Sequence, residues 1–268
     1  MARRALEALA EVAHEIDADT SAALFDELLA ATRDLVAARA EVGAIAGALG
    51  RVLAPAGQHL HLPPDELRRL VADEAAALVA ARDRAAASIA IQLRTRLTDA
   101  LVLTHSASAT VREALLYTPP ARLVCTVSAP NEEGRAFAEE LRGAGLTVDL
   151  VADDAAARAA TDASLVLIGA DTVFQDGCVY NKIGTRRLAE AAADVGVPTV
   201  VAAETIKLAP VDGAAGPALG EEASELFDLT PHELIEEVVT EEGTFHPEEV
   251  PALVTRIPFL AEGYALLT

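Results

Sequence analysis

Lysine is almost missing from this chain of 268 residues: Lys182 and Lys207 are the only two, and arginine supplies the rest of the strongly basic side chains. Basic residues number 21 against 42 acidic ones, a formal net charge of −21. That balance excludes a nucleic-acid surface, which needs concentrated positive charge. Cysteine is scarce too. Cys125 and Cys178 stand alone with no Cys-x-x-Cys spacing, as expected of reduced thiols in a cytoplasmic protein. No apolar run approaches the roughly 20 residues needed to span a membrane, and no signal peptide opens the sequence, so no membrane contact is expected. An acid excess with arginine in place of lysine, abundant alanine and few aromatics reads as adaptation to a salty cytosol, where like-charge repulsion is screened over a few ångströms. The acidic side chains are then a solvated coat rather than a partner surface.

The pattern divides near residue 100. Residues 2–17 and about 20–52 carry apolar side chains at helical spacing, with Leu24, Phe25, Leu28, Leu29 and Leu35 on one stripe. Residues 54–64 hold helix breakers, and a long Ala/Leu/Arg helix is predicted from Pro64 or Asp65 to about Leu97. His59 and His61 lie in the breaker segment with no carboxylate or thiol beside them, so they read as loop residues and no metal is expected. Beyond residue 100, short β runs alternate with helices: strands at 101–104, 122–127, 147–151, 164–168 and 198–202, helices at about 108–117, 132–143 and 182–195. Such alternation predicts a parallel sheet covered on both faces. The expected fold class is α/β, with an N-terminal helical domain over residues 1–98 and a doubly wound, Rossmann-like domain over 99–268 that binds ligand and forms oligomers.

Ligands of such sheets bind beyond the carboxyl ends of the strands, and Thr104-His105-Ser106, Asp171 and Glu204 all fall just after strands. In Gly169–Thr185, Asp171 leaves a strand and Asn181-Lys182 precede a helix expected to start at about Lys182. A helix N-terminus and a lysine both attract anions, so the arrangement suits a phosphorylated ligand. A chain that has discarded lysine elsewhere keeps it at two places where a compact point charge meets a phosphate. Each residue also has a structural reading. Asp171 can cap a turn, Lys182 can pair with an acid, Lys207 can lie on the surface, Ser106 and Ser108 can steady a helix start, and His105 can be a satisfied buried histidine. Cys178 reads as a buried structural thiol.

Leu103–Ser108, Gly169–Asp171, Gly177 with Asn181–Thr185, Ala203–Lys207, Phe227–Leu234 and Val239–Gly243 occur in one order over roughly residues 100–245. In these stretches the chain resembles the alpha, beta and delta subunits of translation initiation factor 2B, a superfamily that also holds methylthioribose-1-phosphate and ribose-1,5-bisphosphate isomerases. The resemblance implies binding of a phosphorylated small molecule, a sugar phosphate or nucleoside monophosphate, by Arg39, Ser108, Asn181, Lys182 and Lys207. It also implies a homo-oligomer, a possible protein partner in translation, and no cofactor. The isomerases handle protons with an aspartate, matched by Asp171, and a cysteine whose position is held here by Ser106. Their Arg-Gly-Ala turn reads Asp17-Ala18-Asp19, and their Glu-Thr-Arg-Pro segment reads Val127-Ser128-Ala129-Pro130. A tuned thiol exchanges protons near neutrality, whereas an unassisted serine does not. The expectation is therefore a ligand-binding, initiation-factor-like protein without efficient isomerase activity; the alternative is an active sugar-phosphate isomerase using Asp171. Because the apolar tail segments Ile257–Leu260 and Tyr264–Leu267 would be awkward if exposed, they are expected to contribute to assembly.

Overall fold

A computed structural model describes residues 2–38, 43–215 and 225–267. Four helices come first: α1 (Ala2–Glu15), α2 (Ser21–Ala38), α3 (Gly43–Gly57) and α4 (Pro64–Leu97). Pro64 opens α4, where a missing N–H is harmless, and Asp65 and Glu66 favour its positive end. The predicted breaker segment begins late: α3 runs through Pro55 to Gly57, carried by Leu53, Ala54 and Ala56, all buried. No single helix among the described residues is long and apolar enough to cross a membrane.

Alternating strands and helices follow: β1 (Leu101–Thr104), α5 (Ala109–Tyr117), β2 (Arg122–Thr126), α6 (Glu133–Gly143), β3 (Val148–Val151), α7 (Ala156–Ala160) and β4 (Leu165–Ile168). After β4 the sequence reading expected one loop and then a helix. The chain instead forms a hairpin, β5 (Thr172–Phe174) and β6 (Val179–Lys182), and α8 starts only at Thr185, running to Asp194. Gly177 supplies the positive φ of 81° that the hairpin turn requires. Then come β7 (Thr199–Ala202), β8 (Leu208–Ala209), β9 (Phe227–Thr230), β10 (Glu237–Thr240), β11 (Gly243–Phe245), α9 (Val250–Arg256) and α10 (Leu260–Leu267).

The main sheet has seven strands in the order β11-β10-β7-β4-β1-β2-β3, parallel except for the edge pair β10–β11. Reading outward from β1, the chain winds one way through β2 and β3 and the other way through β4, β7 and β10. This is the doubly wound arrangement, with its switch point between β1 and β4. Successive strand residues alternate between two cores, as a sheet covered on both sides demands. Val102, Leu123, Cys125, Leu165 and Leu167 pack with the end of α4, α5 and α6. Leu103, Val124, Val166 and Ile168 face a second core shared with α1, α2 and α3. A smaller sheet, β8-β5-β6-β9, stands beside the first.

The apolar tail is covered within the chain: Leu260, Tyr264 and Leu267 are buried, and α10 packs on α3. The two helices cross backbone to backbone, since a Cβ at Gly50 would lie 2.6 Å from the Gly263 carbonyl group. The buried part of this tail is therefore not a free assembly face.

Candidate functional site

The crevice at a doubly wound switch point opens where two adjacent parallel strands send their connections to opposite sides of the sheet. Here the segments leaving β1 and β4 carry Ser106 and Asp171. Ser106 has a left-handed backbone, φ 66°, as does Ser128 after β2, φ 65°. Residues other than glycine hold this conformation only where their surroundings enforce it. The enforcement is a chain of hydrogen bonds. The Ser106 N–H donates to Ser128 Oγ at 2.7 Å, Ser128 Oγ lies 2.9 Å from Thr126 Oγ1, and Thr126 Oγ1 lies 2.6 Å from Nδ1 of His105. His105 Nε2 faces the Ile183 carbonyl at 2.8 Å. A carbonyl only accepts, so Nε2 carries a proton, while Nδ1 bonds the Thr126 hydroxyl. Burial pushes the His105 pKa down, against the Ile183 hydrogen bond and the charges of Asp153 and Glu133. His105 is thus a satisfied buried histidine that ties the exit of β1 to the turn before α8. Asp153 fixes the other side, accepting from the Ser128 and Ala129 amides at 2.7 Å each.

Ser106 and Lys182 meet on a residue the sequence reading passed over. Glu133 opens α6, and its Oε1 accepts from Ser106 Oγ at 3.1 Å and pairs with Lys182 Nζ at 3.0 Å. The lysine side chain is only 6% exposed and Glu133 is 28% exposed. Its second oxygen, Oε2, is buried with no hydrogen-bond partner among the described residues. Ser108 has the helix-start role: it N-caps α5, accepting from Val111 N at 3.4 Å. A Cβ on Gly169 would come within 2.5 Å of the Ser108 hydroxyl, so the small residue lets the turn carrying Asp171 rest against that cap.

Asp171 adjoins Asn181 across the hairpin, its N–H donating to Tyr180 O at 2.9 Å. Thr172, the next residue, accepts the Gly43 N–H at the start of α3 at 2.7 Å, so the N-terminal helices close directly on this segment. Arg39 lies outside the described residues. Asn181 donates to Thr185 Oγ1 at 3.0 Å. Lys207 follows β7 and pairs with Glu204 at 3.2 Å. Burial alone would raise the Glu204 carboxyl, but Lys207, its own backbone N–H and the Thr110 hydroxyl outweigh it and hold the group below its ordinary value. Cys178 is buried, and burial pushes its thiol up to about 11, so it is no ready proton carrier.

The predicted anion position at the head of the helix is a correction. Asn181 and Lys182 end β6, Gly184 makes the turn at φ 98°, and α8 begins three residues later than expected. Its first amides are taken by a carboxylate from β9: Asp228 accepts from Gly184 N at 2.8 Å and from Arg186 N at 3.3 Å. Burial pushes Asp228 up to about 6, against those two hydrogen bonds. A carboxyl raised in the folded state stabilises the fold below its unfolded pKa and loses that contribution as pH rises through the folded value. The stability of the native chain relative to an Asp228→Asn variant is therefore expected to fall between about pH 4 and pH 6 and then level off. Thermal melts of both proteins over that range check it; a difference independent of pH would sink the assignment.

This geometry has known relatives. Residues 1–215 match the initiation factor 2 subunit family. The chain belongs to that family. It is 33% identical to a ribose 1,5-bisphosphate isomerase of Haloferax volcanii over 96% of this chain and 86% of that protein. A putative translation initiation factor eIF-2B subunit 2-like protein of Pyrococcus furiosus is 36% identical, over 55% of this chain and 58% of its own length. The fold matches a crystal structure of translation initiation factor eIF-2B from Pyrococcus horikoshii with a TM-score of 0.79 and 24% identity, covering 92% of this chain and 90% of the other.

Proposed function

We propose that this member of the family binds a sugar phosphate or nucleoside monophosphate at the β1/β4 switch point and isomerises it poorly. The observation that carries the reading is the buried Lys182 ammonium, held by a carboxylate that also holds Ser106. A buried ammonium strengthens any anion it meets, because the surrounding dielectric is low. Phosphate then exchanges with Glu133 for the same charge, while Asp171, Asn181 and Lys207 border the remainder of the ligand and Ser108 steadies the adjoining turn. The chain acts as a homo-oligomer in a salty cytosol, with subunit contacts to a partner in translation as the finer form of this reading. The two-part organisation, residues 1–98 closing over 99–268, belongs to the same proposal, with the α3–Thr172 contact in its support.

The test is a thermal-shift titration at high salt with ribose 1,5-bisphosphate and with a nucleoside monophosphate. At a concentration of 100 times the dissociation constant, binding adds about 2.7 kcal/mol. That raises the melting temperature by roughly 5–10 °C for a chain of this size. No shift with either ligand, or an equal shift in Lys182→Met, counts against the site.

A second reading has its own support. The likeness to the Haloferax isomerase runs over nearly the whole chain, and Ser106 is not unassisted, since its hydroxyl donates to Glu133. Under this alternative the chain is an active sugar-phosphate isomerase using Asp171 and the Ser106–Glu133 pair.

A further inference from the structure

A cavity of about 310 Å³ opens between α3, the middle of α4, the turn after β7 and the turn joining β10 to β11. Arg51, Arg82 and Arg84 line it, with Glu204, Glu241 and Glu242 among the opposing groups. None of Ser106, Asp171, Asn181, Lys182 or Lys207 lines it, although its Glu204 pairs with Lys207, so the cavity adjoins the switch-point crevice along that turn. Arg51 is half-buried, yet it makes no hydrogen bond or ion pair with any described residue, and neither does Arg84. Arg82 reaches only Asp83, at 3.9 Å.

The nearby acids explain why Arg51 stays unpaired. Both Glu241 oxygens are engaged by Thr205, whose amide donates at 2.9 and 3.2 Å and whose hydroxyl donates at 2.6 Å. Glu242 is exposed and can turn its charge to water. Burial accordingly pushes the Arg51 pKa down, with Glu241 and Glu242 opposing from a distance. A half-buried guanidinium with five unused donors is poorly solvated, and an oxyanion is the partner its fork fits. Leu78, Ala81, Ala85, Ile257 and Pro258 supply an apolar wall for the rest of a small molecule.

We propose that this cavity is a binding site for a small oxyanion-bearing molecule, a phosphate or a carboxylate, held by Arg51 and Arg84. The floor of the site, Glu204-Thr205-Ile206, is the turn that leads directly into Lys207. Its occupant therefore rests on the element that carries one of the two lysines.

Equilibrium dialysis of the full chain with radiolabelled inorganic phosphate, at constant ionic strength, tests the proposal. The native chain should hold one phosphate that depends on Arg51 and persists in Lys182→Met. Arg51→Gln should weaken that phosphate at least tenfold, and Arg51→Lys should weaken it less. Without ligand, Arg51→Gln should melt no lower than the native chain, since it removes an unpaired half-buried charge. Succinate competing in Lys182→Met assigns the natural ligand to carboxylates, and phosphate binding without competition assigns it to phosphates. No phosphate or succinate bound in Lys182→Met, or binding unchanged in Arg51→Gln, overturns the site. Loss of the Lys182-dependent phosphate alone would instead count against the function proposed above.

Discussion

Replacing Lys182 with methionine should destabilise the unliganded chain by about 3 kcal/mol, and adding Glu133→Gln should recover most of that loss. Breaking a buried ion pair leaves the surviving charge desolvated, which typically costs about 3–5 kcal/mol. The lower end applies because Glu133 keeps some access to water, whereas the lysine side chain has almost none. In the double variant neither charge remains, so the penalty disappears while the hydrophobic stem at position 182 is retained. Glu133→Gln alone has the opposite signature in binding. It leaves the ammonium without its carboxylate, so a phosphate no longer has to displace an anion, and affinity should rise roughly tenfold, a change of about 1.4 kcal/mol. Denaturant melts of the four proteins of the cycle give the coupling directly. A Lys182→Met chain as stable as the native one, or a double variant no better than the single, would show that the pair is not a unit.

The alternating architecture was legible because the central strands β1, β2, β4 and β7 are short, mostly apolar runs buried on both faces, and such runs stand out between helices. The hairpin between β4 and α8 was not. Its strands have three and four residues, too few for a period of two to declare itself, although Asp176-Gly177 was a turn signal in plain view. Missing it moved the start of α8 and put the wrong anion at its head. Local sequence could not name Asp228, which comes from 44 residues away. Glu133 was hidden for the same reason, lying 27 residues from Ser106 and looking like one more acid in an acidic chain. Apolar character in the tail reports burial without saying against what, and within the chain the last helix packs on α3 at Gly50.

Changing Ser106 to cysteine should raise the turnover of ribose 1,5-bisphosphate by about a hundredfold over a slow native rate, and Asp171→Asn should abolish what remains in either background. Isomerising ribose 1,5-bisphosphate breaks the bond between C1 and the ring oxygen, moves a hydrogen from C2 to C1 and transfers the proton of the C2 hydroxyl, net, to the ring oxygen, because the C1 oxygen keeps its phosphate; there is no net oxidation. Two groups must therefore give and take protons in turn, and general acid–base help of this kind is worth about 10²–10⁴ in rate. Under the isomerase reading Asp171 is one of them. Ser106 is the position for the other, and its hydroxyl is oriented by Glu133 Oε1. Orientation is not acidity, however: an alcohol holds its proton far above neutral pH, while a thiol with a pKa near 8.5 releases it readily, and more so beside a lysine. The same Glu133 oxygen is shared with Lys182, so it is not a vacant acceptor for a substrate proton. Its partner Oε2 is buried and unbonded, and this is the atom on which the rival reading turns. Rapid turnover by the native chain, lost in both Asp171→Asn and Glu133→Gln, would make Glu133 a working base and the protein an isomerase. Slow native turnover, unchanged by Glu133→Gln and raised by Ser106→Cys, leaves binding as the function that this site performs.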